Sequence, residues 1–162
     1  MPNWCMNSVT ITGDADTLKA IVDAAKQGKL LEYLAPIGEW DYGTAVDTWG
    51  TKWDIDSPDY DLDLANNTLS LNFDSAWGPP TSAYAKACET YDIIIEASYY
   101  EPGMCFVGLY DSSLGIDITY EIDFDEDDWR DTIPEDLIDH WGLEDEYESY
   151  KEWNTEEDNE DD

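Results

Sequence analysis

The sequence predicts an α+β sandwich followed by a strongly acidic helical section. Three observations carry this. Strand-like and helix-like hydrophobic periods alternate over the first 120 residues. The 162 residues are 42% hydrophobic and 14% aromatic, enough for a packed core without disulfides or metal. The charge is uneven: residues 121–162 carry 21 acids against two bases, a net of −19, whereas residues 1–120 carry 19 acids against five bases, a net of −14. The expected organisation is an α+β domain over 1–123, an acidic helical extension over 124–153, and a disordered acidic tail over 154–162, where no apolar anchor occurs.

Trp4–Thr12 alternates and becomes β-branched toward its end, which predicts the first strand. Gly13 breaks it, and Asp14 or Asp16 can cap a helix that places Leu18, Ile21, Val22 and Ala25 on one face. Gly28 stops that helix, and Leu30–Leu34 adds a short turn before Pro36. Residues 38–50 read as a loop with a short helix near Ala45. Lys52–Asp56 is the expected second strand and Thr68–Phe73 the third. Pro79-Pro80 opens a helix whose buried face is Tyr84, Ala87, Cys88 and Tyr91. The apolar run from Ile93 to Tyr99 suits a central strand. Met104–Tyr110 and Ile116–Ile122 predict an added β-hairpin. The order β-α-β-β-α-β is the split βαβ pattern of ferredoxin-like folds.

Three separated motifs occur at the joints of these elements: Met1-Pro2-Asn3-Trp4-Cys5-x-Asn7, Trp49-Gly50-Thr51-Lys52-Trp53-Asp54, and Phe73-x-Ser75-Ala76-Trp77-x-Pro79-Pro80. Together they resemble the YubB-type ferredoxin-like proteins of phages and plasmids. The resemblance covers roughly residues 1–110 and leaves out the acidic section. It implies the fold and a mobile-element origin, and no chemistry. Physically the motifs read first as architecture, large rings closing the open end of a core. Lys52, alone between Lys29 and Lys86, is expected to pair with a carboxylate. The other reading is a ligand or peptide pocket lined by Trp4, Trp49, Lys52, Trp53 and Trp77.

In the acidic section, Asp131 or Thr132 can cap a helix carrying Leu137, Ile138 and Trp141 on one face, ended by Gly142. A second helix from Leu143 aligns Tyr147, Tyr150 and Trp153. A purely solvating segment needs no such rings. Trp129, Trp141, Tyr147, Tyr150 and Trp153 either pack the helices down or anchor a partner or a second copy. The acids of the same section, Asp123, Asp125, Glu126, Asp127, Asp128, Asp131, Glu135, Asp136, Asp139, Glu144, Asp145, Glu146, Glu148 and Glu152, form the expected partner-binding surface.

Several function classes are excluded or disfavoured. A net charge of −33 is wrong for a phosphate-neutralising nucleic-acid binder and for an anionic membrane. No phosphate-binding glycine loop is present. The single histidine, His140, reads as a surface side chain. Asp59-x-Asp61-x-Asp63 and Asp123-x-Asp125-x-Asp127 begin like calcium loops but lack the glycine at the sixth position and the glutamate at the twelfth. No cofactor, metal site or enzymatic activity is expected. Met1-Pro2 opens no basic, apolar leader, and the three spaced cysteines suggest reduced thiols, so the expected location is the host cytoplasm.

The charge exceeds the magnitude of about 2–8 that keeps a small domain soluble. Spread over the roughly 8,000 Å² expected for this mass, it averages about one charge per 250 Å². Duplex DNA carries one per ~110 Å² of its cylinder. Gathering the acidic section on a third of the surface raises the density to about one per 140 Å². The expectation is therefore an acidic phage or mobile-element inhibitor. It would block a basic, DNA-handling host defence protein of the restriction or BREX-like kind, either as a DNA mimic or at a protein-specific site.

Overall fold

The computed structural model describes residues 3–160, with the side chains of 156–160 left aside. The chain forms two compact units, residues 1–119 and 120–162.

The first unit is built on an antiparallel sheet. Its strands are β1 (Trp4–Thr12), β2 (Asp59–Asp63), β3 (Thr68–Ala76), β4 (Ile94–Glu101), β5 (Phe106–Asp111) and β6 (Ile116–Glu121), the last running into the second unit. The strand order is β2-β3-β1-β4-β5-β6. Its first four members have the order of a split βαβ domain, and β5 and β6 extend the β4 edge. In register, Trp4 faces Ala76, Met6 faces Asp74 and Val9 faces Leu71 on one side and Ala97 on the other.

Period-two alternation decides what each sheet face does. Cys5, Asn7, Val9 and Ile11 are buried, while Trp4 and Met6 between them are exposed. Helices α1 (Ala15–Lys26), α2 (Leu30–Leu34), α3 (Tyr42–Trp49) and α4 (Thr81–Thr90) supply the other half of the core. Leu18, Ile21, Leu31, Leu34, Trp49, Tyr84 and Ala87 lie in one cluster with Val9, Ile11, Leu69, Leu71 and Ile95. Asp14 is the N-cap of α1 and Asp41 that of α3, each accepting from the backbone N–H three residues on. Gly50 ends α3 at φ +86, a left-handed conformation natural to glycine.

Three expectations differ from the structure. The second strand is Asp59–Asp63, not Lys52–Asp56, which is irregular. Asp59, Asp61 and Asp63 share one face of an edge strand, so the alternation is real but carried by charge. Trp49 belongs to the core, its indole N–H donating to the Ala35 carbonyl at 2.8 Å. Among the described residues Lys52 makes no ion pair; its ammonium stands 4.5 Å from the centroid of the Trp53 ring. Among the described residues the one ion pair joins Arg130 and Glu144.

The second unit contains α5 (Glu135–Trp141) and α6 (Leu143–Glu160). Pro134, rather than Asp131 or Thr132, occupies the N-cap of α5, and Gly142 separates the helices at φ +63. α6 continues through most of the stretch expected to be a disordered tail. Propagating an existing helix costs little per residue, and glutamate is a good helix former. Residues 161 and 162 of that expected tail lie outside the described residues.

Candidate functional site

Two surfaces hold the residues singled out by the sequence, one in each unit.

In the second unit the acids and the rings separate. Every one of the fourteen partner-binding acids, from Asp123 to Glu152, is exposed. Of the five proposed aromatic anchors, Trp129 and Tyr147 are buried. They pack with Phe124, whose ring centroid is 5.0 Å from that of Trp129 and 5.6 Å from that of Tyr147. Tyr150 joins at 5.7 Å and donates its hydroxyl to Asp125. These three rings therefore consolidate the unit. Trp141 is half-buried, and Trp153, 65% exposed, is the ring left on the surface.

The same cluster takes up both cations of the acidic section. The Arg130 guanidinium lies 4.5 Å from the Trp129 centroid and 4.8 Å from that of Tyr147, and forms a two-pronged pair with Glu144. Lys151 stands 4.6 Å from the Tyr147 ring. Glu144 is held below the ordinary glutamate range by its bonds from Arg130. Among the described residues, no other acid of this unit forms an ion pair.

In the first unit the three motifs converge at one end of the sheet. Asn7 donates its side-chain amide to the carbonyls of Cys5 and Phe73 and to Ser75 Oγ, and Ser75 donates to the Gly78 carbonyl. Thr51 Oγ1 donates to the Ala76 carbonyl at 2.7 Å. The Trp77 N–H donates to the Asn3 carbonyl, with Trp77 itself at φ +73. Burial, with Glu101 adding to it, pushes the Cys5 thiol up to about 12, so it is no thiolate nucleophile at neutral pH.

Beside this junction lies a groove of about 450 Å³ lined by Trp4, Trp53, Asp54, Asp56, Asp74 and Ala76. The structure therefore brings together Trp4 and Trp53, with Lys52 on the latter. Trp49 is inside the core, and Trp77, although exposed, does not line the groove. The three aspartates were not anticipated as part of it. Asp74 could have been placed there by alternation, because it shares a sheet face with Trp4.

The strand order and helical layer define a ferredoxin-like α+β domain carrying an acidic helical unit. Over residues 48–161 the chain matches the family model described as the ferredoxin-like domain in Api92-like protein, and it belongs to that family. The match includes the acidic section, which the motif resemblance had left out; β1 and α1 lie before it. No curated protein and no solved structure matches the chain. No helix among the described residues is long and apolar enough to cross a membrane. Among them, no group of three or more His, Cys, Asp or Glu side chains could hold a metal ion.

Proposed function

We propose that this protein is a stoichiometric, non-catalytic inhibitor of the YubB type, encoded by a phage or other mobile element. Its target is a host DNA-handling defence protein, in the manner of a restriction or BREX-like component. It acts in the host cytoplasm by occupying the basic surface on which that target holds DNA. The observation that carries this reading is the sorting of charge in the second unit. Fourteen acids are exposed, while Arg130 and Lys151 are drawn onto Trp129 and Tyr147.

The spacing supports a nucleic-acid-like pattern. Between residues 143 and 155 α6 holds five acids. At 1.5 Å per residue that is about one carboxylate per 4 Å of axis, near the 3.4 Å phosphate repeat of one DNA strand. Complementary charge of this kind speeds association and selects cationic partners. A merely solubilising surface needs far less charge.

The test is DNA competition. A purified restriction enzyme or BREX-type complex is titrated on plasmid DNA in about 50 mM salt, where screening is weak. Inhibition near one-to-one stoichiometry is expected, relieved above about 300 mM salt. Glu146→Gln, Glu148→Gln, Glu152→Gln and Asp139→Asn combined should weaken it at least about tenfold. A wild-type protein that displaces DNA from neither target at low salt would refute the proposal.

A further inference from the structure

We infer that the Trp4–Trp53 groove is a recognition pocket for a guanidinium group, presented by an arginine side chain of a partner protein. The inference concerns the first unit alone and does not depend on the acidic helices.

The first ground is the pairing of ring and carboxylate. The Trp4 and Trp53 centroids are 6.2 Å apart with planes at 41°, and the two indoles are 46% and 38% exposed. Exposed indoles lining a concavity are unusual for a surface meant only to be wet. Asp56 and Asp74, both exposed, line the same cavity. Indole faces attract cations through their quadrupole, and carboxylates add charge and acceptor atoms. Trp53 already has an ammonium at ring-stacking distance in Lys52, so its ring is used for cations in this fold.

The second ground is that the exposed ring stands on fixed backbone. Thr51 is tied to Ala76, and the Lys52 carbonyl accepts from the Trp40 indole at 3.0 Å. Asp54 caps α2, its carboxylate accepting from the N–H groups of Leu31 and Glu32 and from that of Ile55. Burial raises the Asp54 pKa above its ordinary value despite those three bonds. Ile55 is buried in the core. The residues on both sides of Trp53 are therefore pinned, while its indole stays 38% exposed. Pre-ordered contact groups lower the entropic cost of binding. On the opposite wall, Trp4 and Asp74 are fixed by the β1–β3 ladder.

The ligand class follows from the mixture. A quaternary ammonium has no N–H and gains nothing specific from carboxylate oxygens. An ammonium is a point charge. A guanidinium can stack its plane on an indole and direct its N–H groups at carboxylates in the same pose. The cavity is also large enough for the side chain that carries it.

The test uses the full chain at physiological salt, with its indole N–H resonances followed by NMR. The probes are Nα-acetyl-arginine methylamide, Nα-acetyl-lysine methylamide and choline. The arginine probe is expected to shift the Trp4 and Trp53 signals and to leave Trp49 and Trp129 in place. It should bind at least roughly fivefold more tightly than either other probe. Asp74→Asn and, separately, Trp53→Leu should each weaken it by roughly fivefold or more. Glu146→Gln with Glu148→Gln on α6 should not. Equal binding of choline, or shifts confined to the acidic helices, would overturn the inference. Unchanged affinity in Asp74→Asn with a native spectrum would do so as well.

Discussion

Asn7 illustrates how single side chains hold the end of this sheet. Its buried amide N–H groups satisfy two carbonyls and one hydroxyl from β1 and β3, while its Oδ1 has no hydrogen-bond partner in the described structure. Losing donors at a buried site costs more than the bonds are worth, because the acceptors left behind are desolvated. Asn7→Asp keeps the shape, removes the donors and sets a carboxylate against carbonyl oxygens. It should destabilise the first unit by about 3 kcal/mol at neutral pH. Burial raises the new carboxyl's pKa in the folded state, so the folded variant prefers it protonated. The loss should therefore shrink as pH falls toward 4. Denaturant midpoints at pH 7 and pH 4.5 measure both; equal destabilisation at the two values would mean the buried carboxylate charge adds nothing to the loss. This residue was legible as part of a motif, yet its role was not. A short motif shows that residues belong together, while two of the three acceptors of Asn7 lie 66 and 68 positions away.

At the scale of elements, legibility followed the origin of each element's stability. β1 and α1 carry their own hydrophobic period and appear where the sequence puts them. β2, Asp-Tyr-Asp-Leu-Asp, has little strand propensity and exists because β3 offers an edge to pair with. Trp53 was drawn into a strand for the same reason in reverse. Its ring looks like strand material, but the segment around it is tied by its own Asp54 and Thr51 side chains to the backbone of α2 and β3, and by the Trp40 indole from the loop before α3. The added hairpin depends on a close approach that only glycine permits. A methyl group on Gly108 of β5 would overlap the Tyr99 ring and the Ile118 carbonyl oxygen. Tyr99 cannot simply withdraw, since its hydroxyl is bonded to Thr119 at 2.6 Å. Gly108→Ala should therefore destabilise by about 3 kcal/mol through overpacking. Combined with Tyr99→Ala, the total loss should fall clearly below the sum of the single losses, because the two share one contact. Strict additivity in denaturant melts would show that the clash lies elsewhere.

For the whole molecule the governing quantity is the −33 net charge, set against one ion pair among the described residues. Self-repulsion of this size opposes the compact state. It acts unevenly, since residues 120–162 hold a net of −19 and residues 1–119 a net of −14 over almost three times the length. Screening should consequently stabilise the second unit more. Raising NaCl from about 10 mM to 0.5 M shortens the Debye length from ~30 Å to below 8 Å, so most repulsion between exposed carboxylates is lost. A gain of about 1–2 kcal/mol is expected, corresponding to a rise in melting temperature of roughly 2–8 °C. Amide hydrogen exchange separates the units: protection in α5 and α6 should increase more than in β1 and β3. Electrostatic capture of a basic target must move the opposite way, weakening over the same salt range in which the unbound fold strengthens. That crossing distinguishes a surface kept acidic for a partner from general salting-in. Inhibition that persists unchanged at 0.5 M salt, while α6 protection climbs, would mean the carboxylates do not make the decisive contact.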